Sequence, residues 1–368
     1  MKSSFSLSLL LGVLLISCNT DKTMDNDFVD LDISPNECFT EQSFAEVIPL
    51  SAEKFNDSVI HNPRSLSLVK EFLFSVDVSG QTDTLVRYYS LPNKEYQGAV
   101  YLQGQGPMEM LSPSTVHASA DSSSFWIYDT AKRAFAGQPL PGTCRLADDE
   151  EKVSFIHLND TLFRGVDDVL WLDKKRLVVS DLFHYKERFF IADTCMWDAQ
   201  AVTNSSLHFK NVYGDRILAD IFSTRKCMTP DHSRIILAGS YLDLLEIYDK
   251  EGRLLHMVKG PEKDFQFEFD IERSQANNVL IKSRNSRRAY LAVKATNDKI
   301  YALYSGKTKE DKEHYSYSRA LYVFSSDGEP LKKYQLDTPV IDFVVDEANG
   351  MIYAASDNAE IVGFRIRN

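Results

Sequence analysis

The chain has 368 residues, with 41 lysines and arginines against 53 aspartates and glutamates, a formal net charge of −12 and a pI near 5.2. Nucleic acid needs a dense basic surface to displace its counterions, so this balance argues against it as a partner. Five cysteines in so long a chain exclude a disulfide scaffold as the main source of stability, and length alone leaves one large β domain or two smaller domains open.

At the amino-terminal end, Lys2 precedes an apolar stretch over residues 5–16. The stretch is too short to span a bilayer as a mature helix and has the layout of a signal peptide, expected over residues 1–17. It runs into Leu15-Ile16-Ser17-Cys18, which resembles the lipobox of bacterial lipoproteins: branched apolar residues, a small residue at the cleavage position, then cysteine. The resemblance implies a diacylglyceryl group in thioether linkage on Cys18 and acylation of its freed amino group. Several buried chains hold a protein on a membrane durably. Asn19 is not the aspartate that retains some lipoproteins in the inner membrane, so the expected location is the cell envelope at the outer membrane, with the periplasmic or surface face left open. Residues 19–37 are polar and acidic with few large apolar groups, and 18–42 are expected to be the lipidated cysteine and a flexible tether. The folded part is placed at 43–368. Cys38, Cys144, Cys195 and Cys227 have no CxxC spacing and are expected to be structural, with any pairing open.

From residue 43 onward, helical periodicity is hard to find and the chain reads as strands throughout. Residues 44–50 form an isolated apolar run. Then come runs at 85–89, 125–128, 176–180, 234–237, 245–248 and 320–324, rich in Val, Ile, Phe and Tyr. Turn signals separate them at Ser79-Gly80, Glu251-Gly252, Asp327-Gly328 and Asn349-Gly350. Aligning aromatic strand ends at Tyr89, Tyr128, Phe190, Tyr248, Phe324 and Phe364 gives six units separated by 39, 62, 58, 76 and 40 residues. A four-stranded propeller blade takes roughly 40 to 50 residues, and loop insertions account for the excess. Two units share the form strand, strand, acidic-Gly turn, strand: 299–336 and 234–258. The last unit stops after three strands, and the run at 44–50 is expected to supply its fourth. The fold expected is all-β, a six-bladed β-propeller whose ring is closed by an N-terminal strand added to the last blade. Two sandwiches divided near residue 205 would break a repeat pattern that continues past that point.

These features resemble the TolB-like six-bladed β-propeller lipoproteins. Beyond lipobox and strand rhythm, Gly104-Gln105-Gly106-Pro107-Met108-Glu109-Met110 is similar to their Gly-x-Gly-Pro-Gly-Glu-Phe segment, with Met108 and Met110 departing from it, and Lys259-Gly260-Pro261-Glu262 is a weaker echo. Such a segment is a tight turn where an outer strand leaves its blade. The resemblance implies fold rather than chemistry.

Signals for catalysis are sparse. No Gly-x-Ser-x-Gly elbow is present, and Gly104-x-Gly106 runs into Pro107 without opening a helix. Eight histidines, among them His117, His157, His184 and His232, show neither HxH nor HExxH spacing, so no metal site is assigned. Some six-bladed propellers are calcium-dependent lactonases and related hydrolases, and Thr229-Pro230-Asp231-His232 loosely resembles a turn of theirs, with His232 in place of glycine. That leaves a calcium-dependent hydrolase or lyase in the central channel as the alternative. The reading preferred is a monomeric, non-enzymatic binding or scaffold module without a cofactor, recognising a protein or saccharide. Its expected site is the channel mouth, where the loops entering the innermost strands carry Arg64, Arg164, Arg216 and the pair Arg287-Arg288, with Arg288 taken as the ligand contact. The plainer reading pairs these arginines with Asp167, Asp168 and Asp215.

Overall fold

A computed structural model gives the architecture; it describes residues 27–28, 31–33, 35–55, 62–77, 83–140, 153–158, 161–163, 165–182, 187–195, 198–209, 215–262, 265–273 and 278–366. Residues 1–17, Cys18, Cys144 and Arg164 lie outside them.

The described chain is built from antiparallel meanders. The first comprises Pro63–Val69, Phe72–Asp77, Thr84–Ser90 and Glu95–Gln103, with Glu109–Met110 added in parallel. The second runs Pro113–Ala118, Ser124–Asp129, Ala134–Pro139 and Ser154–His157, and the third Val166–Trp171, Arg176–Asp181, Glu187–Asp193 and Ala199–Thr203. The fourth is Thr224–Met228, Arg234–Gly239, Leu244–Asp249 and Leu254–Lys259. Two small sheets pair Glu268–Arg273 with Asp27–Phe28 and Asn278–Ile281, and Leu207–Phe209 with Leu31–Ile33. A further sheet has eight strands and holds two modules joined through Pro330–Asp346. That 17-residue strand first pairs with Ser318–Ser325, behind Lys299–Tyr304 and Tyr290–Ala295, then with Met351–Ser356 and through it Ile361–Arg365.

Middle strands such as Leu244–Asp249 and Met351–Ser356 are buried at every position. Their sheets are covered on both faces, which is why they read as continuous apolar runs rather than alternating ones. Each covering layer is the neighbouring module. Phe74 of the first packs on Phe125 of the second with ring centroids 4.7 Å apart, and Phe189 of the third meets Tyr248 of the fourth edge-on at 5.1 Å. Leu66, Leu73 and Tyr89 of the first module share a cluster with Val344, Met351 and Tyr353 of the last.

Four expectations change. The run at 44–50 does not extend the last module: Glu46–Leu50 lies parallel to residues 332–336, and the strand beside Ile361–Arg365 is Ala52–Lys54. The proposed tether is partly folded. Glu37–Cys38 pairs with Val258 and Lys259, and the Asn36 side chain accepts from the Met257 amide at 2.7 Å. Apolar burial anchors this segment: Phe39 packs with Phe44, Tyr322 and Phe324, and Phe44 stacks on Tyr322 at 4.8 Å. Tyr128 belongs to a second strand, whereas the other five aligned aromatics sit in third strands; the equivalent residue there is Phe135, its cross-strand partner. Finally, Asp215–Ile221 is a helix, held by Ile217, Leu218, Ile221 and Phe222 on one buried face.

Candidate functional site

Each module begins with a strand whose outward pattern is interrupted by polar residues: Ser65 and Ser67, then Ser114, Thr115 and His117, then Asp167 and Asp168, then Lys226, Lys294 and Asp342. These strands surround one cavity of about 380 Å³, whose walls include Ser67, Thr115, Trp171, Lys226, Lys294 and Val344, one from each module.

Beside the cavity the charges are matched across module boundaries. Asp342 Oδ2 accepts from the Ser65 hydroxyl at 3.0 Å and the Leu66 amide at 2.8 Å, and Ser65 lies 3.2 Å from the Thr115 hydroxyl. Lys294 Nζ is 3.6 Å from Asp342 Oδ1 and donates to the Leu66 carbonyl at 2.9 Å. Asp168 Oδ1 meets His117 Nε2 at 3.1 Å and the Ser114 hydroxyl at 3.2 Å. Lys226 Nζ donates to Asp167 Oδ2 at 3.0 Å, while the other Asp167 oxygen is buried without a partner.

Adjacent carboxylates therefore diverge. Burial, helped by the charge of Asp168, raises the pKa of Asp167 against the pull of Lys226. Burial acts the same way on Asp168, but the charge and hydrogen bond of His117, with Lys226, outweigh it and hold that carboxyl low. Cys227, beside Lys226, has its thiol pushed up to about 12 by burial, which disfavours the thiolate at neutral pH. Cys38, Cys195 and Cys227 are all unpaired.

The Thr229–His232 segment is the hairpin turn that leaves Thr224–Met228. Asp231 accepts from the Thr229 hydroxyl at 2.6 Å and the Ser233 amide at 3.0 Å, and His232, at φ 57°, contacts the Trp171 carbonyl through Nδ1 at 2.9 Å. Its polar groups are consumed locally. Among the described residues no three His, Cys, Asp or Glu side chains converge as metal ligands.

The expected arginines separate. Arg64 is the second residue of its strand and donates to the Pro113 carbonyl at 3.3 Å. Arg288 precedes Tyr290–Ala295, lies over the Tyr315 ring at 5.8 Å and reaches the Ser316 hydroxyl at 3.4 Å. Arg287 is instead ion-paired with Glu262. Arg216 sits exposed on the Asp215–Ile221 helix, one turn before Asp220, whose pKa burial raises against the pull of Lys282 and, more weakly, Arg216. The partners expected for these arginines are taken elsewhere, Asp167 by Lys226 and Asp168 by His117. Arg225, not singled out from sequence, joins the group: its charge, after burial, lowers the pKa of both Arg64 and Arg288. The readable signal was its place, second in an inner strand like Arg64.

A model of the TolB-like 6-blade propeller-like family matches residues 42–348. The chain belongs to that family. In this TolB-like chain the Gly104–Met110 segment is the turn expected after an outer strand. The Gly106 amide donates to Glu109 Oε2 at 2.7 Å, and Lys132 Nζ donates to the Gly106 and Glu109 carbonyls at 2.7 and 2.6 Å. No curated protein matches this TolB-like chain. Among solved structures, the β-propeller domain of Cps50 (Swd1) from Myceliophteria thermophila is similar over 86% of this chain and 100% of that one, at 10% identity and a TM-score of 0.46. Likeness at that level supports no argument about function.

Proposed function

We propose that this TolB-like propeller is an exported, lipid-anchored binding module, a monomer that recognises a protein or a saccharide through its central channel. One observation carries the reading: a single cavity is walled by side chains from every module, with its charges matched by protein partners. A wall of this kind offers hydroxyls, amides and fixed dipoles to a ligand. Lys226 and Lys294 occupy the positions beside Asp167 and Asp342 that a cation would need, which favours binding over calcium-dependent hydrolysis. The ring is read as sealed through Ala52–Lys54 beside Ile361–Arg365, supported by the apolar cluster shared between first and last modules. Attachment is assigned to Cys18, with outer-membrane residence in the cell envelope, on the strength of the lipobox resemblance alone.

Two experiments test this. Capture from an envelope extract and from a glycan panel, with the full chain and a Thr115→Trp variant that fills the cavity, should give a ligand retained by the first and lost by the second. Equal retention would remove the channel as the site. A parallel hydrolysis screen with and without calcium should detect no turnover; turnover that needs calcium and Asp342 would replace the binding reading with an enzymatic one. For the anchor, palmitate labelling in cells should be lost in Cys18→Ala.

A further inference from the structure

We propose that Arg64, Arg225 and Arg288 form an oxyanion-binding site at the end of the channel where the inner strands begin, taking a multiply charged phosphate, sulfate or polycarboxylate group. This rests on the channel being the ligand site and specifies what its entrance accepts. The three residues come from the first, fourth and fifth modules, at or just before the start of each inner strand. The channel cavity is lined by later residues of the same strands, such as Ser67, Lys226 and Lys294, so the arginines stand at the other end.

Elsewhere among the described residues several guanidinium groups are matched, while Arg216, Arg284 and Arg319, which are not ion-paired, are exposed at separate places on the surface. Arg87 pairs with Asp77, Arg176 with Asp173 at 2.7 Å, Arg188 with Glu246, Arg253 with Asp249 at 2.6 Å and Arg287 with Glu262. Among the described residues Arg64, Arg225 and Arg288 have no carboxylate within ion-pair distance, in a protein with 53 acidic residues to choose from. Arg64 and Arg288 each make one long hydrogen bond to a neutral oxygen, and Arg288 Nε is buried with no acceptor. An unsatisfied buried donor on a charged group is costly, and gathering like charges adds to that cost. Both are relieved by one external anion with several oxygens, which can accept bidentately from planar guanidinium groups. Three cations on an acidic protein do not suit a nucleic-acid backbone.

The test titrates citrate, inorganic phosphate and sulfate, each at constant ionic strength against sodium chloride, into the full chain by calorimetry. At least one should bind saturably and weaken tenfold or more in Arg225→Gln/Arg288→Gln, while Arg216→Gln binds as the wild type does. Without anion, the double variant should melt at or above the wild-type temperature, because repulsion is relieved. The proposal is overturned if no anion binds beyond chloride, if the double variant binds equally, or if it melts lower, which would make the arginines structural. Lost anion binding alongside Thr115→Trp-sensitive capture would remove this site and keep the channel reading. Arginine-dependent anion binding with capture insensitive to Thr115→Trp would do the reverse.

Discussion

Asp243 is a carboxyl enclosed near Tyr290 and Tyr304, 2% exposed, with Oδ2 lacking a partner. Burial lifts its pKa to about 8, against the pull of Lys259. The folded state therefore keeps a proton that the unfolded chain releases near pH 4. The associated stability is complete below about pH 4, falls as pH rises, and is lost by about pH 8. Asp243→Asn should remove this slope, matching wild type at pH 4 and exceeding it by a few kcal/mol, order of magnitude, above pH 8, as read from denaturant midpoints. Arg188 and Glu246 show the opposite solution: the carboxylate accepts from Arg188 Nε at 3.1 Å, Asn204 at 2.6 Å and Tyr248 at 2.8 Å. Arg188→Ala, which strands Glu246, should cost about 3–5 kcal/mol in urea unfolding, and Arg188→Met/Glu246→Leu should recover most of it. Neither environment was legible in sequence. Asp243 stands in an unremarkable Leu242-Asp243-Leu244 run, and Arg188 and Glu246 are 58 positions apart.

At the level of elements, the acidic-Gly turns were the most legible features and do more than turn the chain. Gly252 at φ +79° and Gly328 at φ +93° need left-handed backbone, which is why glycine marks both turns. They also occupy matching places against the preceding module. A Cβ on Gly252 would sit 2.5 Å from Val202 Cγ2, and one on Gly328 would sit 2.6 Å from Val258 Cγ2. Gly252→Ala and Gly328→Ala should each lower stability by about 2 kcal/mol or more, through strain and overlap together, measurable as a fall in Tm. That a turn glycine touches the neighbouring module is not readable from local pattern. The same limit explains Tyr128: it and Phe135 face each other across one hairpin, so both satisfy an aromatic strand-end pattern and only pairing tells them apart. The seven-residue helix escaped because two turns are too short to establish a 3.6-residue period.

For the molecule as a whole, repeat and composition were enough for the all-β propeller family, because every module solves the same burial problem with the same strand pattern. How the amino-terminal segment attaches was not, because Phe39 and Phe44 find their partners, Tyr322 and Phe324, some 280 positions away. That attachment should matter globally. Deleting residues 19–45, with the signal retained, removes both rings from a packed aromatic group and should lower Tm clearly and make the chain more sensitive to protease. An unchanged Tm would mean that this segment is decoration.

The continuous strand Pro330–Asp346 gives the amino-terminal segment a mechanical role. Tension applied at that end first meets Glu37–Cys38, held beside Val258 and Lys259 of the fourth module, and then Glu46–Leu50, zipped alongside residues 332–336, before it reaches Ala52–Lys54 beside Ile361–Arg365. The load is thus handed to one beam shared by two modules. Pulling would strain them as a pair once the short clasp on the fourth module gives way, and among the described residues the first three modules have no backbone pairing with this segment through which to share the load.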